Sequence, residues 1–267
     1  MKFCEIIQHI ENIAPLCFAA PWDHSGIQVA AKRALVTHLA VMLDPAPDLM
    51  ERALQSGADA VLSHHPLAIT PRLPDRLDNL HAALCLLLKN DVPLYSAHTS
   101  LDANPLGPAA WLADAFCLRN RRILERNARQ NAEVTEHGFG FFGHLPHALS
   151  YDAFCEKLRA VTGKTSWRAS GPQTREITCM AYCPGAGESL IHAAANLNAD
   201  IYITGDVKYH AAVDAPIRVL DVGHFIMEET MMRLFADSLR DICKTITVSF
   251  VDSQDPFMHE GDFGLSR

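Results

Sequence analysis

Three short motifs of the sequence carry residue types that bind metal ions. They are the doublet His64-His65 and two pairs of equal spacing, His98-x-x-x-Asp102 and His224-x-x-x-Glu228. Imidazole and carboxylate groups suit Zn, Mn, Fe, Co and Ni far better than they suit Ca. Two such ions close together would lower the pKa of a shared water, hold the resulting hydroxide as a nucleophile and polarise a substrate oxygen. The candidate ligands of two divalent metal ions are His64, His65, Asp102, His224 and Glu228.

The histidine doublet suits a site with two ions better than a site with one. Neighbouring side chains of a strand point to opposite faces, so a regular strand could not direct both imidazoles to one ion. The pleat breaks where a strand ends, and Pro66 keeps His65 out of the helical region. At such an end, His64 and His65 can splay towards two neighbouring ions.

The second histidine–acid pair stands where a strand passes into a helix that we predict over residues 225–239. A spacing of four residues places His224 and Glu228 on one face of the first turn. A carboxylate there also meets the positive end of the helix dipole. Glu228 is the candidate bridge between the two ions, whereas Glu229 lies roughly a quarter-turn away and is expected to be exposed.

A hydrolytic reaction also needs a group that passes a proton to the leaving group. His98 is the best candidate because it lies one helical step before Asp102, and with Glu228 it makes up the predicted catalytic pair. The alternative is that His98 only orients a metal ligand. Tyr209 and His210 are weaker candidates for proton transfer.

A glycine-rich segment, 185–187, opens the helix of the second half of the chain. Its backbone N–H groups could cradle an anion. The sequence matches neither a Walker A loop nor a dinucleotide fingerprint, so a simple turn from strand to helix is the favoured interpretation.

Two stretches of the chain repeat one order of elements. Residues 39–65 and 179–206 each indicate an apolar strand, a turn with Pro or Gly, an Ala/Leu-rich helix and a second apolar strand. The strands that follow also correspond, so that His98 matches His224 and Asp102 matches Glu228. Alternating strands and helices predict parallel pairing with right-handed crossovers, and ligands bind at the carboxyl ends of such strands. The predicted fold is α/β, with two related lobes and a metal site between them.

The repeat also predicts how the chain is divided. Residues 1–125 form the first lobe, residues 126–205 form the second, and residues 206–267 return to complete the metal site and pack on the first lobe. A tight strand pair at 138–143 opens the second lobe. The connection before it is basic and carries Arg119, Arg121, Arg122, Arg126 and Arg129. These arginines form either a nucleic-acid patch or a solvated face, and the solvated face is favoured.

The composition is that of a globular protein with a sizeable core. Of the 267 residues, 49% are hydrophobic and 20% are charged. The net charge of −8 and the pI near 5.9 argue against a general nucleic-acid or anionic-membrane surface. Eight cysteines are scattered without a CxxC pair, and Cys179 and Cys183 are expected to be buried thiols rather than metal or redox groups. With no apparent signal peptide or membrane span, a reducing cytoplasm is expected.

Six blocks of the sequence resemble one known family, and they occur in the family's order over almost the whole chain. The sequence is similar to the NIF-three-like proteins, often labelled GTP cyclohydrolase I type 2 homologues. The blocks are WDHSGIQV at 22–29, LSHHPL at 62–67, AHTSLDA at 97–103, TGDVKYH at 204–210, DVGHFIMEE at 221–229 and DPF at 255–257. The first block departs from the family's Asp-Asn-x-Gly-Leu-x-x-Gly pattern at His24 and Ala30.

The resemblance implies a two-lobed α/β fold with a dinuclear metal site. It implies that His65 and Asp102 hold one ion, that His64 and His224 hold the other, and that Glu228 bridges them. It also implies a toroidal homohexamer with the metal sites facing an inner cavity, in the compact form that lacks an inserted domain. The family label implies that metal hydroxide opens the imidazole ring of a guanine nucleotide.

Two hypotheses from different functional classes follow. The first is a cytoplasmic hydrolase with a dinuclear metal centre, which opens a purine or another cyclic amide or amidine ring in a small molecule such as a nucleotide. The second is a metal-binding regulatory or scaffold protein that forms a ring-shaped oligomer without turnover. A third interpretation, nucleic-acid processing, rests on the arginine cluster and on the implied ring, and it is not favoured.

Overall fold

A computed structural model of the chain describes residues 1–127 and 136–257. The helices in these residues are α1 (Phe3–Ile13), α2 (Pro47–Gln55), α3 (Asn79–Asn90), α4 (Thr99–Asp102), α5 (Trp111–Ala115), α6 (Tyr151–Thr162), α7 (Ile191–Asn196), α8 (Tyr209–Val213) and α9 (His224–Ile242). The strands are β1 (Gly26–Val29), β2 (His38–Met42), β3 (Ala60–Ser63), β4 (Leu94–Ser96), β5 (Arg119–Arg126), β6 (Gly138–Ser150), β7 (Arg168–Ser170), β8 (Glu176–Ala186), β9 (Ile201–Gly205), β10 (Arg218–Asp221) and β11 (Thr247–Phe250).

The strands form two sheets with related topologies. The first sheet has the order β1-β4-β3-β2-β11, and the second has the order β7-β10-β9-β8-β6-β5. Strands β2, β3 and β4 are parallel, as are their counterparts β8, β9 and β10, and each set carries an antiparallel edge strand, β1 or β7. The predicted α/β fold of two related lobes is confirmed. The sheets are mixed rather than wholly parallel, because β5 and β6 also pair antiparallel in the second sheet.

The repeat extends to individual hydrogen bonds. The carboxylate of Asp59 accepts hydrogen bonds from the backbone N–H groups of residues 37–38 at 2.9–3.0 Å, just where β2 begins. The carboxylate of Asp200 does the same for residues 178–179 at the corresponding part of β8, at 2.7–2.9 Å. The aspartate of the shared Ala-Asp step therefore has the same role in both halves. It lies just before β3 or β9 and binds the backbone of the neighbouring strand, β2 or β8.

One hydrophobic core joins both sheets through α9. Met227, Met231 and Phe235 of this helix are fully buried, in the same cluster as Val41 of β2 and Tyr182 of β8. Burying one such side chain stabilises the fold by about 1.5–3 kcal/mol. The core therefore fixes the first turns of α9, which carry two of the candidate ligands, against both sheets.

The lobe boundaries expected at 125 and 205 stay predictions, and each sheet combines strands from separate parts of the chain. Strand β5 already belongs to the second sheet, because it pairs with β6. Strand β10 also belongs to the second sheet, and the chain returns to the first sheet only with β11, which pairs with β2. The prediction of a tight strand pair at 138–143 is wrong, because these residues lie within the single strand β6.

The basic connection forms an exposed edge strand. In β5, Arg121 pairs with Asp114 at 2.6 Å, and Arg126 pairs with Glu136 at 2.5 Å. Charged side chains on an edge strand discourage pairing with other chains, which agrees with the favoured solvated face. Arg129 lies outside the described residues.

All eight cysteines are free thiols; Cys179 is buried and Cys183 is half-buried. Among the helices in the described part of the chain, none is both long and apolar enough to span a membrane.

Candidate metal centre

The structure brings the five candidate ligands together. His64 and His65 follow β3, Asp102 ends α4, and His224 and Glu228 lie in the first turns of α9. The Nε2 atom of His64 lies 3.6 Å from Asp102 Oδ1 and 3.7 Å from Glu228 Oε1. The other oxygen, Glu228 Oε2, lies 3.1 Å from His65 Nε2 and 2.7 Å from His224 Nε2. Each carboxylate oxygen of Glu228 therefore faces a different set of side chains.

The ligand atoms fall into two groups that share Glu228. Within each group they all lie within 4.8 Å of one another, and the groups are His64/Asp102/Glu228 and His65/His224/Glu228. The assignment that the resemblance implied, His65 with Asp102 and His64 with His224, is not the arrangement found. The reason is the direction of splay at the end of β3. His64 is fully buried and turns towards α4, whereas His65 turns towards the half-exposed His224.

Each of the three histidines is held through its Nδ1 atom, which leaves Nε2 facing Glu228. His64 Nδ1 lies 2.9 Å from the backbone oxygen of Ala97, so it is the donor of that bond. His65 Nδ1 is bonded to Asp44 Oδ1 at 2.6 Å, and His224 Nδ1 is bonded to Asp206 Oδ2 at 2.8 Å. Hydrogen bonds of this kind fix the ring orientation and the tautomer of a histidine that binds metal.

Two buried polar atoms at the centre have no hydrogen-bond partner among the described residues. They are His64 Nε2 and Asp102 Oδ1, which face each other. Leaving such atoms unsatisfied typically costs about 1–3 kcal/mol each. A divalent cation bound by both atoms and by Glu228 would remove that cost. The set of ligand atoms therefore fits a metal ion of the kind that prefers imidazole and carboxylate.

Gly185 allows the Glu228 carboxylate to occupy this position. Its φ is +64°, and a Cβ atom there would lie 2.1 Å from Glu228 Oε1. The anion cradle considered for residues 185–187 is not supported, because the Gly187 N–H donates to Thr204 Oγ1 at 2.9 Å. The segment is a turn whose missing side chain makes room for Glu228.

His98 stands beside the centre and is supported by a buried acid. Its Nδ1 atom is bonded to Asp23 Oδ1 at 2.8 Å, while Asp23 Oδ2 accepts from Ser25 and Thr99 at 2.5–2.6 Å. Burial opposes ionisation of Asp23, but these hydrogen bonds outweigh it and lower the pKa of its carboxyl group. One ring nitrogen of His98 also lies within 4.8 Å of the corresponding atoms of His64 and His65.

A cavity of about 310 Å³ opens onto these side chains. Its wall includes His65, His98, Asp102, His224 and Glu228, together with apolar residues. Tyr209 and His210 do not line it. They belong to α8, which has no buried residue, and Tyr209 is 77% exposed.

Glu229, the neighbour of Glu228 in the sequence, is buried rather than exposed as expected. It is only 5% exposed, and its carboxylate accepts hydrogen bonds from the backbone N–H and the hydroxyl of Ser253 at 2.9 and 2.7 Å. Glu229 is buried because the segment after β11, which includes Ser253, covers its side of α9. Glu229 therefore holds the end of the described chain and takes no part in the two groups.

The chain matches a known protein family over almost its whole length. A family model described as Duf34/NIF3 (NGG1p interacting factor 3) matches residues 1–256. The chain belongs to this family. Its sequence relatives include proteins named GTP cyclohydrolase 1 type 2 homolog. The one from Clostridium perfringens is 27% identical over 266 residues, covering 96% of this chain and 99% of the relative. The one from Methanocaldococcus jannaschii is 29% identical over 245 residues, covering 90% and 95%.

Solved structures share the fold of this Duf34/NIF3 protein. The Bacillus cereus protein related to NIF3 superposes with a TM-score of 0.85 at 21% identity, covering 97% of this chain and 99% of that one. Reduced HcgD from Methanocaldococcus jannaschii superposes with a TM-score of 0.82 at 26% identity, covering 95% and 98%. The resemblance seen in the sequence blocks is confirmed at the level of family and fold.

The carboxylates around the Duf34/NIF3 centre change the pKa of its outer histidines. Burial lowers the pKa of His65, but its hydrogen bonds with Asp44 and Glu228 outweigh burial and raise that pKa to about 10. The same opposition, with Glu228 and Asp206, raises the pKa of His224 to about 9. Without metal, both imidazoles are therefore protonated at neutral pH.

The inner acids of the centre respond in opposite directions. Burial raises the pKa of Asp102 to about 7, against the attraction of nearby histidines. Burial also opposes ionisation of Glu228, but the positive charge and hydrogen bonds of the surrounding histidines hold its pKa well below the usual range. Glu228 is therefore ionised, as a carboxylate that bridges two cations must be.

The metal-free Duf34/NIF3 protein is expected to lose stability as the pH rises from 7 to 10. An unfolded histidine has a pKa of about 6.5. Because His65 and His224 have raised values in the folded state, their contribution is complete below about pH 6.5 and disappears as the pH passes through 9 and 10. Urea unfolding in EDTA at pH 6.5, 8 and 9.5 measures the fall in the free energy of unfolding.

The exposed His192 of α7 provides the control for this pH dependence. The variant His192→Asn should keep the parent's slope, whereas His65→Asn should flatten it. Metal binding should show the reverse trend, with apparent affinity increasing with pH, because the ions displace protons from the imidazoles. A metal-free protein that is equally stable at pH 6.5 and 9.5 would contradict the raised pKa values.

Sequence reasoning missed the acids that hold the histidines. Asp44 follows β2 as His65 follows β3, so the rule that polar groups gather at strand ends could have found it. Asp23 lies in the first sequence block, but only the fold brings it to His98. At the departure from the family pattern, the side chain of His24 is exposed and its backbone N–H donates to Asp23 Oδ1 at 2.8 Å.

Proposed function

We propose that this protein is a hydrolase with a dinuclear metal centre that opens a cyclic amide or amidine ring. The observation that carries the proposal is that the two carboxylate oxygens of Glu228 face different histidines. Its Oε1 faces His64, and its Oε2 faces His65 and His224. A carboxylate placed between two ligand groups is what a pair of ions sharing a water requires. The names of the sequence relatives support a cyclohydrolase type of reaction.

The chain's residues would divide the work as follows. His64, Asp102 and Glu228 would hold one divalent ion, and His65, His224 and Glu228 the other. The ions, which could be Zn, Mn, Fe, Co or Ni, would lower the pKa of a water molecule and polarise the oxygen of the substrate.

His98 is the proposed proton carrier. Its Nδ1 atom is fixed by Asp23, which leaves Nε2 as the atom that can exchange a proton with the leaving group. The hydrogen bond to the ionised Asp23 prevents the ring from turning. The buried hydroxyl of Thr99 keeps Asp23 in place. The homohexameric ring implied by the resemblance, the cytoplasmic location expected from the cysteine pattern, and GTP as a substrate remain parts of this proposal.

Replacing His98 with asparagine should separate catalysis from metal binding. The metal content of His98→Asn should stay at the parent's value, while turnover falls by about 100-fold or more, the usual contribution of a general acid. Asp23→Asn should lower turnover less, because the ring remains but loses its orientation. Turnover is measured as ring opening of GTP and of a panel of cyclic amides after each divalent metal has been restored.

The exposed His192→Asn is the matched control for this experiment, since it changes the same residue type on α7, away from the cavity. Loss of bound metal in His98→Asn would make His98 a ligand rather than a proton carrier. Absence of turnover in a parent protein that holds two ions per chain would leave the metal-binding scaffold as the function.

A further inference from the structure

The cavity beside the metal centre has a second polar feature at its mouth. One part of its wall comes from the first half of the chain, with Trp22 and His98. Another part comes from the second sheet, with Glu125 and Phe139, and from the turn before α7, with Leu190. Trp22 is 59% exposed although it is large and apolar. Glu125 is an exposed residue of β5, directly opposite Phe139 in the ladder with β6. The mouth therefore combines apolar surface with one carboxylate.

The carboxylate of Glu125 is not engaged elsewhere. Within residues 1–127 and 136–257, it makes no hydrogen bond and no ion pair, whereas the next residue, Arg126, is paired with Glu136. It is also absent from the groups of ligand atoms that lie within 4.8 Å of one another. By contrast, the other two acids that line the cavity, Asp102 and Glu228, both belong to those groups. Glu125 is thus the acid of the cavity wall that remains available to a bound molecule.

We infer that the substrate carries a positively charged nitrogen group that binds Glu125, joined by an apolar segment to the amide or amidine that reaches the metal centre. This inference rests on the proposed hydrolase function and specifies its substrate class. The charged nitrogen would make a charge-assisted hydrogen bond with the carboxylate. Trp22, Phe139 and Leu190 would cover the apolar segment. An anionic group at the same end would be repelled, which disfavours a substrate with phosphates directed to the mouth.

Hydroxamates test this inference because they bind metal centres as amide mimics without being turned over. The probes are alkanoyl hydroxamates with chains of three to six carbons, ending in an amine, a methyl or a carboxylate group. Calorimetry on protein loaded with Co²⁺ gives the affinity of each. Varying the length of the probe's alkyl chain brings the end group within reach of Glu125.

At one chain length, the amine-ended probe should bind the parent about tenfold more tightly than its methyl-ended partner, as expected for one charge-assisted hydrogen bond. In Glu125→Gln that preference should fall below about twofold, and in Glu51→Gln, an exposed acid on α2, it should remain. The preference should also shrink at high salt, because Glu125 is exposed.

Two results would overturn the inference, and they are distinguishable. If hydroxamates bind but the amine gives no advantage at any length, or the advantage survives in Glu125→Gln, the role of Glu125 is refuted while the metal centre stands. If no hydroxamate binds the metal-loaded protein, the proposed hydrolase function fails, and the substrate class fails with it.

Discussion

Glu228→Gln is expected to remove both metal ions from the protein. Glutamine keeps the shape of glutamate, but it has one neutral oxygen where the two groups of ligands need two charged ones. The metal content should fall from about two ions to less than about 0.2 per chain. The affinity loss should be at least about 100-fold, beyond what removal of a supporting hydrogen bond causes. Elemental analysis of gently purified protein measures the content.

The neighbouring acid provides a matched control. Glu229 is as buried as Glu228, but its carboxylate is bonded to Ser253. Glu229→Gln should therefore lose some stability and keep its metal. Thermodynamic linkage gives a second readout. At free metal about a thousand times the parent's Kd, metal should stabilise the parent and Glu229→Gln by about 4 kcal/mol per bound ion, and Glu228→Gln by less than about 1.5 kcal/mol per ion. Full metal content in Glu228→Gln would refute the shared-carboxylate centre.

Gly185→Ala is expected to have the second-largest effect, although residue 185 offers no ligand atom. The new Cβ atom would lie 2.1 Å from Glu228 Oε1, the oxygen that faces His64. The buried carboxylate must move, because the backbone at Gly185 is anchored: its carbonyl oxygen accepts a hydrogen bond from Thr204 Oγ1 at 3.3 Å, and the next residue, Ala186, pairs with Gly205 of β9. The protein should lose at least one ion per chain, first from the group of His64 and Asp102. Elemental analysis and metal titration measure the loss.

Gly163→Ala separates this steric effect from backbone strain. Gly163 ends α6 with a φ of +69°, close to the +64° of Gly185, and a Cβ atom there would meet nothing within 4 Å. Both variants should lose about 1 kcal/mol of stability from the left-handed backbone. Only Gly185→Ala should lose metal. Equal metal content in the two variants would show that Glu228 does not depend on the space that Gly185 leaves.

The elements with strong local signals were predictable from the sequence. The helix expected over 225–239 is α9, and the strand–helix–strand repeat became two sheets with the same central order. The four-residue spacing placed His224 and Glu228 on one face of a helix, and this spacing holds wherever the helix packs. Antiparallel edge strands and the sheet that receives β5 were not predictable, because pairing partners depend on contacts between distant segments.

The sequence by itself determined which side chains could bind metal. Residue type is read directly from the sequence, and the position of a strand end depends on local chain geometry. Only the tertiary structure decided how they are grouped. The direction in which His64 and His65 splay is set by α4 on one side and α9 on the other, and both elements reach the doublet through distant packing. The same holds for Asp23 beside His98 and for Ser253 over Glu229. These pairs are 75 and 24 residues apart, and no local rule links residues at such separations.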